Sequence, residues 1–323
     1  MGKAKVLVAF GGPAAEHDIS IATGRNMFAN LDRQKYTVGA LFIDKNGFMS
    51  VDEDIDRAMA SKTAPAYQIT AILKGKADVV CNALHGPFGE DGAFQAFLKT
   101  IGIACTGSDH ASSALGMDKM RSRLVLQSGS VPVPQSVFIR KGESADIPFM
   151  PTVIKPNRSG SSFGTSLVKK TEDLAKAIDE AFRYDDIIIA EELLKGTEIT
   201  CSVLQRKGQE PEALPVTLIA PYNSEFFDLK AKYEPGATDE TTPAPIPDES
   251  TKKAQALAVK VHKLIGCAGV TRTDMYLAAD SSLKVLEINT LPGFTATSIV
   301  PHAAQVAGIS TGELLDILIE AAF

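Results

Sequence analysis

The sequence predicts an α/β protein built in two unlike parts: an open parallel α/β unit first, then an α+β region with two lobes. Three observations carry this. Through Ser108, short apolar runs alternate with stretches of helical spacing, the order expected of a parallel sheet wrapped by helices. Beyond Pro132 and Pro134, strands paired across turns take over. Near the end, an amphipathic helix precedes two strands that carry carboxylates among apolar residues.

At 323 residues the chain exceeds one ordinary core, so two or three domains or lobes are expected. A hydrophobic content of 45% and a charged content of 22% describe a globular protein. The 33 Lys+Arg against 39 Asp+Glu leave a formal charge of −6, which argues against a nucleic-acid partner bound by bulk electrostatics. Met1-Gly2-Lys3 leads straight into VLVAF, without the apolar core and small-residue cleavage site of a signal peptide, and no run has the length of a membrane span. No membrane partner is therefore expected. Cys81, Cys105, Cys201 and Cys267 are scattered, which fits reduced thiols of a cytoplasmic protein.

Taken in order, residues 5 to 10 (KVLVAF) form a strand that enters Gly11-Gly12-Pro13, and Ala14 to Leu31 has helical spacing. Strand, glycine turn and helix N-terminus offer backbone N–H groups to a ligand, although the spacing is not that of a dinucleotide fingerprint. Further strands are expected at 36 to 43, 77 to 84 and 102 to 108. Ligands of such sheets gather at the carboxyl ends of the strands, where Glu16, His17 and His85 stand. The loop LHGPFGEDG after the third strand holds Glu90 and Asp91. One helix is expected over Ser112 to Ser128, and a solvent-facing surface is the default explanation for its Asp118, Lys119, Arg121 and Arg123.

The strand TVIKP ends at Lys155, and the Gly/Ser-rich turn NRSGSSFGTS returns into TSLVKK. The pair has the form of a hairpin lid whose N–H groups and hydroxyls can cover phosphates; a plain flexible hairpin is the alternative. A helix over Thr171 to Phe182 precedes a strand ending in Glu191-Glu192, a turn at Gly196 and a second strand, an arrangement that suits a hinge between lobes. There a nucleobase can meet the backbone and Glu198 a ribose. The long aperiodic stretch from Pro221 to Pro247, with Phe226, Phe227 and Tyr233, is expected to be a lid. After a helix over Ser250 to Ile265, the strand VTRTDMYLA sets Arg272 and Asp274 on one face. In LKVLEIN, strand alternation puts Val285, Glu287 and Asn289 on one face. A hairpin of these two strands gathers Asp274, Glu287 and Asn289, three oxygen ligands of the kind a Mg2+-nucleotide site uses.

With these pieces together, the chain resembles the D-alanine-D-alanine ligases of the ATP-grasp superfamily. The resemblance rests on GGPAAEHDIS (11 to 20), LHGPFGEDG (84 to 92), TGS…ALGMDKMRSR (106 to 123), KPNRSGSSFG (155 to 164), AKY (231 to 233), TRTD (271 to 274) and LEINTLPGFT (286 to 295), in the family's order. It implies a Rossmann-like domain over 1–117, a small ATP-grasp lobe over 118–195 and a large lobe over 196–323. It also implies ATP-driven joining of two D-alanines through an acyl phosphate, with two Mg2+ ions or Mn2+ in their place, in a homodimer.

By the same resemblance, Asp274, Glu287 and Asn289 hold the metal. Lys119, Lys155 and Lys232 contact phosphates, and Glu191, Glu192, Leu193, Leu194 and Glu198 hold adenosine. Glu16 binds the first substrate's ammonium group, with His85 near its carboxylate, while Ser298 and Ile299 hold the second substrate's carboxylate. Arg272 and the N–H of Gly293 stabilise the oxyanion, and Ser161 and Tyr233 link to Glu16 across the closed lid. The chain departs from the common pattern at Ser159, Phe227, Leu229, Lys230 and Val270-Thr271. A depsipeptide or other D-amino-acid ligase is the nearest alternative, and a non-catalytic nucleotide-binding regulator a more distant one.

Overall fold

A computed structural model describes residues 2–144, 146–160, 163–221 and 238–323. Three sheets organise them. The first has the order β3-β2-β1-β4-β5, from β1 (Ala4–Gly11), β2 (Tyr36–Ile43), β3 (Met49–Asp52), β4 (Val79–Asn82) and β5 (Ala104–Cys105). The sheet is parallel as expected, except that β3, a strand not expected from the sequence, joins β2 antiparallel at the edge. The four-residue β3 is too short to show periodicity.

From Val6 to Phe10 strand β1 is apolar without interruption because both of its faces are covered. Val6, Val8 and Phe10 pack with Met27 from α1 (His17–Asn30) and with Leu31 just after it, while Leu7 and Ala9 pack with Leu73 from α3 (Ala66–Lys76) and Leu98 from α4 (Ala93–Thr100). The short α2 (Ile55–Ala60) adds Ile55 and Ala58 to the first of these cores.

The helix expected over Ser112 to Ser128 is two helices, α5 (His110–Met117) and α6 (Lys119–Ser128). Asp118, at φ −87 and ψ 97, breaks the run and caps α6 by accepting from the Arg121 N–H at 3.0 Å. Of the four charged residues expected to face solvent, Arg121 does, whereas Asp118, Lys119 and Arg123 are buried.

The second sheet is antiparallel, order β6-β9-β7-β8, from β6 (Ser136–Arg140), β7 (Thr152–Pro156), β8 (Ser166–Val168) and β9 (Ile187–Glu192). It is backed by α7 (Leu174–Ala181), whose Ala177 and Ala181 meet Ile154 and Ile188. The third sheet runs β13-β12-β10-β14-β15, all antiparallel, with β11 added to β10. Its strands are β10 (Thr197–Leu204), β11 (Glu212–Ala213), β12 (Thr217–Pro221), β13 (Thr238–Thr241), β14 (Val270–Leu277) and β15 (Leu283–Asn289). Helix α8 (Asp248–Ile265) covers one face through Ala254, Ala258, Val261 and Ile265, and stops at Gly266, whose φ of 77 suits glycine.

The chain ends in α9 (Ile299–Val306) and α10 (Thr311–Ala322), which return to the first sheet. Val300, Leu314 and Leu318 share its core with Val6, Val8 and Phe10. No helix among the described residues is long and apolar enough to cross a membrane, and the four cysteines are free thiols.

Candidate active site

Two adjoining cavities open among the three sheets, of about 90 Å³ and 890 Å³. Lys119, Ser159, Gly160 and Glu287 line both, so they form one cleft. The smaller is walled by Lys155, Glu191, Glu192, Leu193, Leu194, Glu198 and Asp274. The larger takes Glu16, His85, Arg272, Asn289, Gly293, Ser298 and Ile299. Every described residue singled out from the sequence as a site residue thus reaches this cleft; Ser161, Lys232 and Tyr233 lie outside the described residues. So do Phe227, Leu229 and Lys230.

The β14–β15 pairing builds the centre. Asp274 lies opposite Glu287 and Arg272 opposite Asn289. The register slips between Asp274 and Met275, leaving Leu286 as an extra, unpaired residue of β15. The expected alternation of Val285, Glu287 and Asn289 on one face is therefore corrected: Val285 enters the core with Ile288, while Leu286 and Glu287 face the smaller cavity. The bulge lets consecutive residues serve the site.

Asp274 is held by three donors, Arg272 Nε and Nη2 at 2.8 Å each and Thr200 Oγ1 at 2.6 Å. Burial works against the Arg272 charge, but Asp274 outweighs it and raises the guanidinium pKa. Lys119 Nζ lies 3.3 Å from Glu287 Oε2 and donates to the Ser159 carbonyl at 2.8 Å, which ties the glycine-rich turn to β15. Asn289 Oδ1 accepts from the Leu291 N–H at 3.0 Å, the start of the turn that carries Gly293. Gly293 is closely packed: a Cβ there would stand 3.0 Å from Ser298 Oγ. Ser298 Oγ in turn accepts from the Thr295 N–H at 2.9 Å, just ahead of α9.

On the opposite wall, Glu16 is the residue before α1 and is buried. Gly86 passes close by at φ +66, where a Cβ would come within 2.7 Å of Glu16 Oε2. His85 Nε2 meets Thr23 Oγ1 at 2.9 Å, and its Nδ1 lies 3.5 Å from Glu90 Oε1. Glu90 also accepts from the Gly86 N–H at 3.0 Å, so a chain of contacts orients this histidine.

In the smaller cavity Lys155 Nζ lies 3.3 and 3.2 Å from the two oxygens of Glu191. Burial lowers the Lys155 pKa, opposed by Glu191. Burial also works to raise the Glu191 carboxyl, yet Lys155 and Arg123 together hold it below the usual range. Arg123 pairs with Glu191 directly. The carboxylate of Glu192 turns away, to Lys284 and to the Gln135 N–H at 2.9 Å.

Arg123, Glu90 and Glu240, which lines the larger cavity, were not among the site residues drawn from the sequence. Arg123 had a readable signal, since it stands one helical turn from Lys119 on the same face. Glu240 sits in an aperiodic stretch that gave none.

Asp274, Glu287 and Asn289 offer only oxygen donors, the chemistry of a hard divalent cation. Among the described residues there is no group of three or more His, Cys, Asp or Glu able to hold a metal by itself. The set fits a cation that completes its shell with oxygens of a bound phosphate.

Family models match both parts of the chain: one described as D-ala D-ala ligase N-terminus over residues 5–108, and one described as D-ala D-ala ligase C-terminus over residues 124–320. A D-alanine–D-alanine ligase from Leptospira biflexa is 37% identical, with 99% of each chain covered. Among solved structures, the VanG D-Ala:D-Ser ligase from Enterococcus faecalis superimposes with a TM-score of 0.86 at 31% identity, covering 100% of both chains. The Bacillus anthracis D-alanine–D-alanine ligase complexed with ATP gives 0.79 at 29% identity, covering 99% of this chain and 97% of that one. The fold is thus the α/β unit plus two-lobed α+β region of ATP-grasp ligases. Matched along both parts and at more than a third identity over its length, the chain belongs to the D-alanine–D-alanine ligase family.

Proposed function

We propose that this protein joins two D-alanines into D-alanyl-D-alanine at the expense of ATP, for peptidoglycan precursor synthesis. The observation that carries the reading is the pairing of Arg272 and Asp274 with Asn289 and Glu287 across β14 and β15, at the meeting of the two cavities. The residues lining the smaller cavity suit the adenosine end of a nucleotide, and the larger, joined to it at Lys119 and Glu287, has room for the phosphates and two small amino acids.

In this reading the adenine meets the backbone of Glu191 to Leu194, Glu198 takes the ribose, and Lys119 and Lys155 neutralise phosphates, with Lys232 joining them. Mg2+, as two ions held by Asp274, Glu287 and Asn289 or replaced by Mn2+, supplies charge neutralisation of the triphosphate. Glu16 holds the first D-alanine's ammonium group and His85 its carboxylate end. That carboxylate attacks the γ-phosphorus and ADP leaves, giving an acyl phosphate. The second D-alanine, its carboxylate held by Ser298 and Ile299, attacks the acyl carbon through its amine after losing a proton. The oxyanion then faces the fixed guanidinium of Arg272 and the Gly293 N–H, and phosphate departs as the amide forms. Ser161 and Tyr233 complete the link to Glu16. The domain division at 117/118 and 195/196, a cytoplasmic location and pairing of two copies belong to the same proposal.

A second reading has support in the D-Ala:D-Ser ligase relative, whose structure superimposes over the whole chain. Steady-state phosphate release with D-alanine alone, and with D-alanine plus D-serine or D-lactate, separates the two. Turnover with D-alanine alone that chelation of divalent cations abolishes is expected. Turnover appearing only with the second compound overturns the dipeptide assignment.

A further inference from the structure

Arg123 contributes nothing to the surface, although its helix is rich in charge. It is 2% exposed, and its Nη2 both pairs with Glu191 and lies 3.4 Å from the Leu286 carbonyl. Glu191 is on β9 of the second sheet and Leu286 is the bulge residue of β15 in the third. A bulge leaves its residue outside the ladder, so that carbonyl is available. The arginine therefore links the two lobes through Glu191 and Leu286, both of which line the smaller cavity.

Its remaining edge is not satisfied. Nε and Nη1 are buried and meet no acceptor among the described residues. Buried unmatched donors are costly, and a buried Arg–Glu pair seldom stabilises more than apolar side chains of equal volume. A role in the site accounts for what packing does not. Glu191 is shared between Arg123 and Lys155, with Lys155 at 3.2 Å. Among the described residues, Lys119 and Lys155 are the cations that line this cavity, against the carboxylates of Glu191, Glu192, Glu198, Asp274 and Glu287, and Arg123 adds a third cation through its pair with Glu191. Without the arginine, Lys155 is the cation left to pair with Glu191.

We infer that Arg123 is a positioning residue of the nucleotide site, which shares the charge of Glu191 so that Lys155 is not held by that carboxylate alone and can serve the phosphates, and which anchors the pair to the bulge of β15. The inference rests on the proposed role of Lys155 as a phosphate ligand. Lys155 itself touches the ligand, whereas Arg123 acts through Glu191. Because the Glu191 side chain is committed to these two cations, only its backbone is left for the adenine.

The test is calorimetric titration of the full chain with Mg2+ and ATP in the absence of D-alanine, with thermal melts as a check on folding. Arg123→Met is expected to weaken ATP binding about tenfold or more, since the freed Glu191 then pairs with Lys155 alone. Arg123→Met combined with Glu191→Gln removes both charges and is expected to bind within about threefold of wild type. Arg123→Lys, which keeps the charge, is expected to stay close to wild type. Wild-type affinity in a folded Arg123→Met overturns the inference, and so does a double variant weakened as much as the single one. If Arg123→Met does not fold, the double variant decides: a tenfold loss there overturns it. A wild-type chain that binds no ATP overturns the proposed function and this inference together, whereas ATP binding that none of the variants alters overturns the inference alone.

Discussion

Asp274 has its partners in place before any ligand arrives, two N–H donors of Arg272 and the hydroxyl of Thr200. Such fixed geometry is what electrostatic stabilisation of a developing charge requires, because nothing need reorganise when the charge forms. The same strand depends on a residue outside the cleft. His262 of α8 lies 2.9 Å from Thr271 Oγ1 and 3.2 Å from Gln205 Oε1, and burial pulls its pKa down to about 4. A histidine buried neutral binds its proton more readily in the unfolded chain. Its contribution is thus complete above the ordinary value of 6.5 and is lost as pH falls towards 4, by about 3 kcal/mol in all. Urea unfolding at neutral pH and near pH 5 should show this loss in wild type and a flatter response in His262→Gln; equal slopes for the two proteins contradict it. The sequence showed Arg272 and Asp274 on one face because period-two spacing requires it. It gave no hint of His262, since a histidine on an amphipathic helix reads the same whether it faces water or Thr271.

At the scale of elements, two irregularities place the chemistry. The break at Asp118 turns α6 so that Lys119 and Arg123 point inward, and Asn157 Nδ2 donates to the same carboxylate at 3.0 Å. The bulge at Leu286 brings Glu287 to the site beside it while Val285 stays in the core. Asp118→Ala removes a helix cap and leaves the Asn157 amide without this acceptor, so a loss of about 1–2 kcal/mol is expected. ATP affinity should fall with it, as Lys119 loses its fixed start. Chemical denaturation and ATP titration of this variant check both, and an unchanged unfolding midpoint contradicts the capping role. Regular elements such as β1, α8 and the β14–β15 hairpin were legible because their apolar periods run for several residues. The helix break and the bulge were not, since each is a one-residue departure inside a run that otherwise keeps its period. The four-residue β3 gave too few positions to read.

For the molecule as a whole, the cleft lies where the three sheets converge. Glu16 and His85 come from the segments that follow β1 and β4 of the first sheet, Lys155 and Glu191 from the second sheet, and Arg272, Asp274 and Glu287 from the third. The C-terminal helices close the circuit: Val300 and Leu314 pack on the first sheet, which seats Ser298 and Ile299 in the wall of the larger cavity. Convergence of this kind was legible only through the order of the motifs, because no local pattern states which sheet faces which. In the proposed reaction this cleft transfers a phosphoryl group to a D-alanine carboxylate before the peptide bond forms. The most direct measurement follows the carboxylate oxygen. With D-alanine labelled in its carboxylate by heavy oxygen, mass spectrometry of the released phosphate should find one labelled oxygen per phosphate, in step with formation of the dipeptide. Phosphate that carries no label would contradict the acyl-phosphate route and the role assigned to the site.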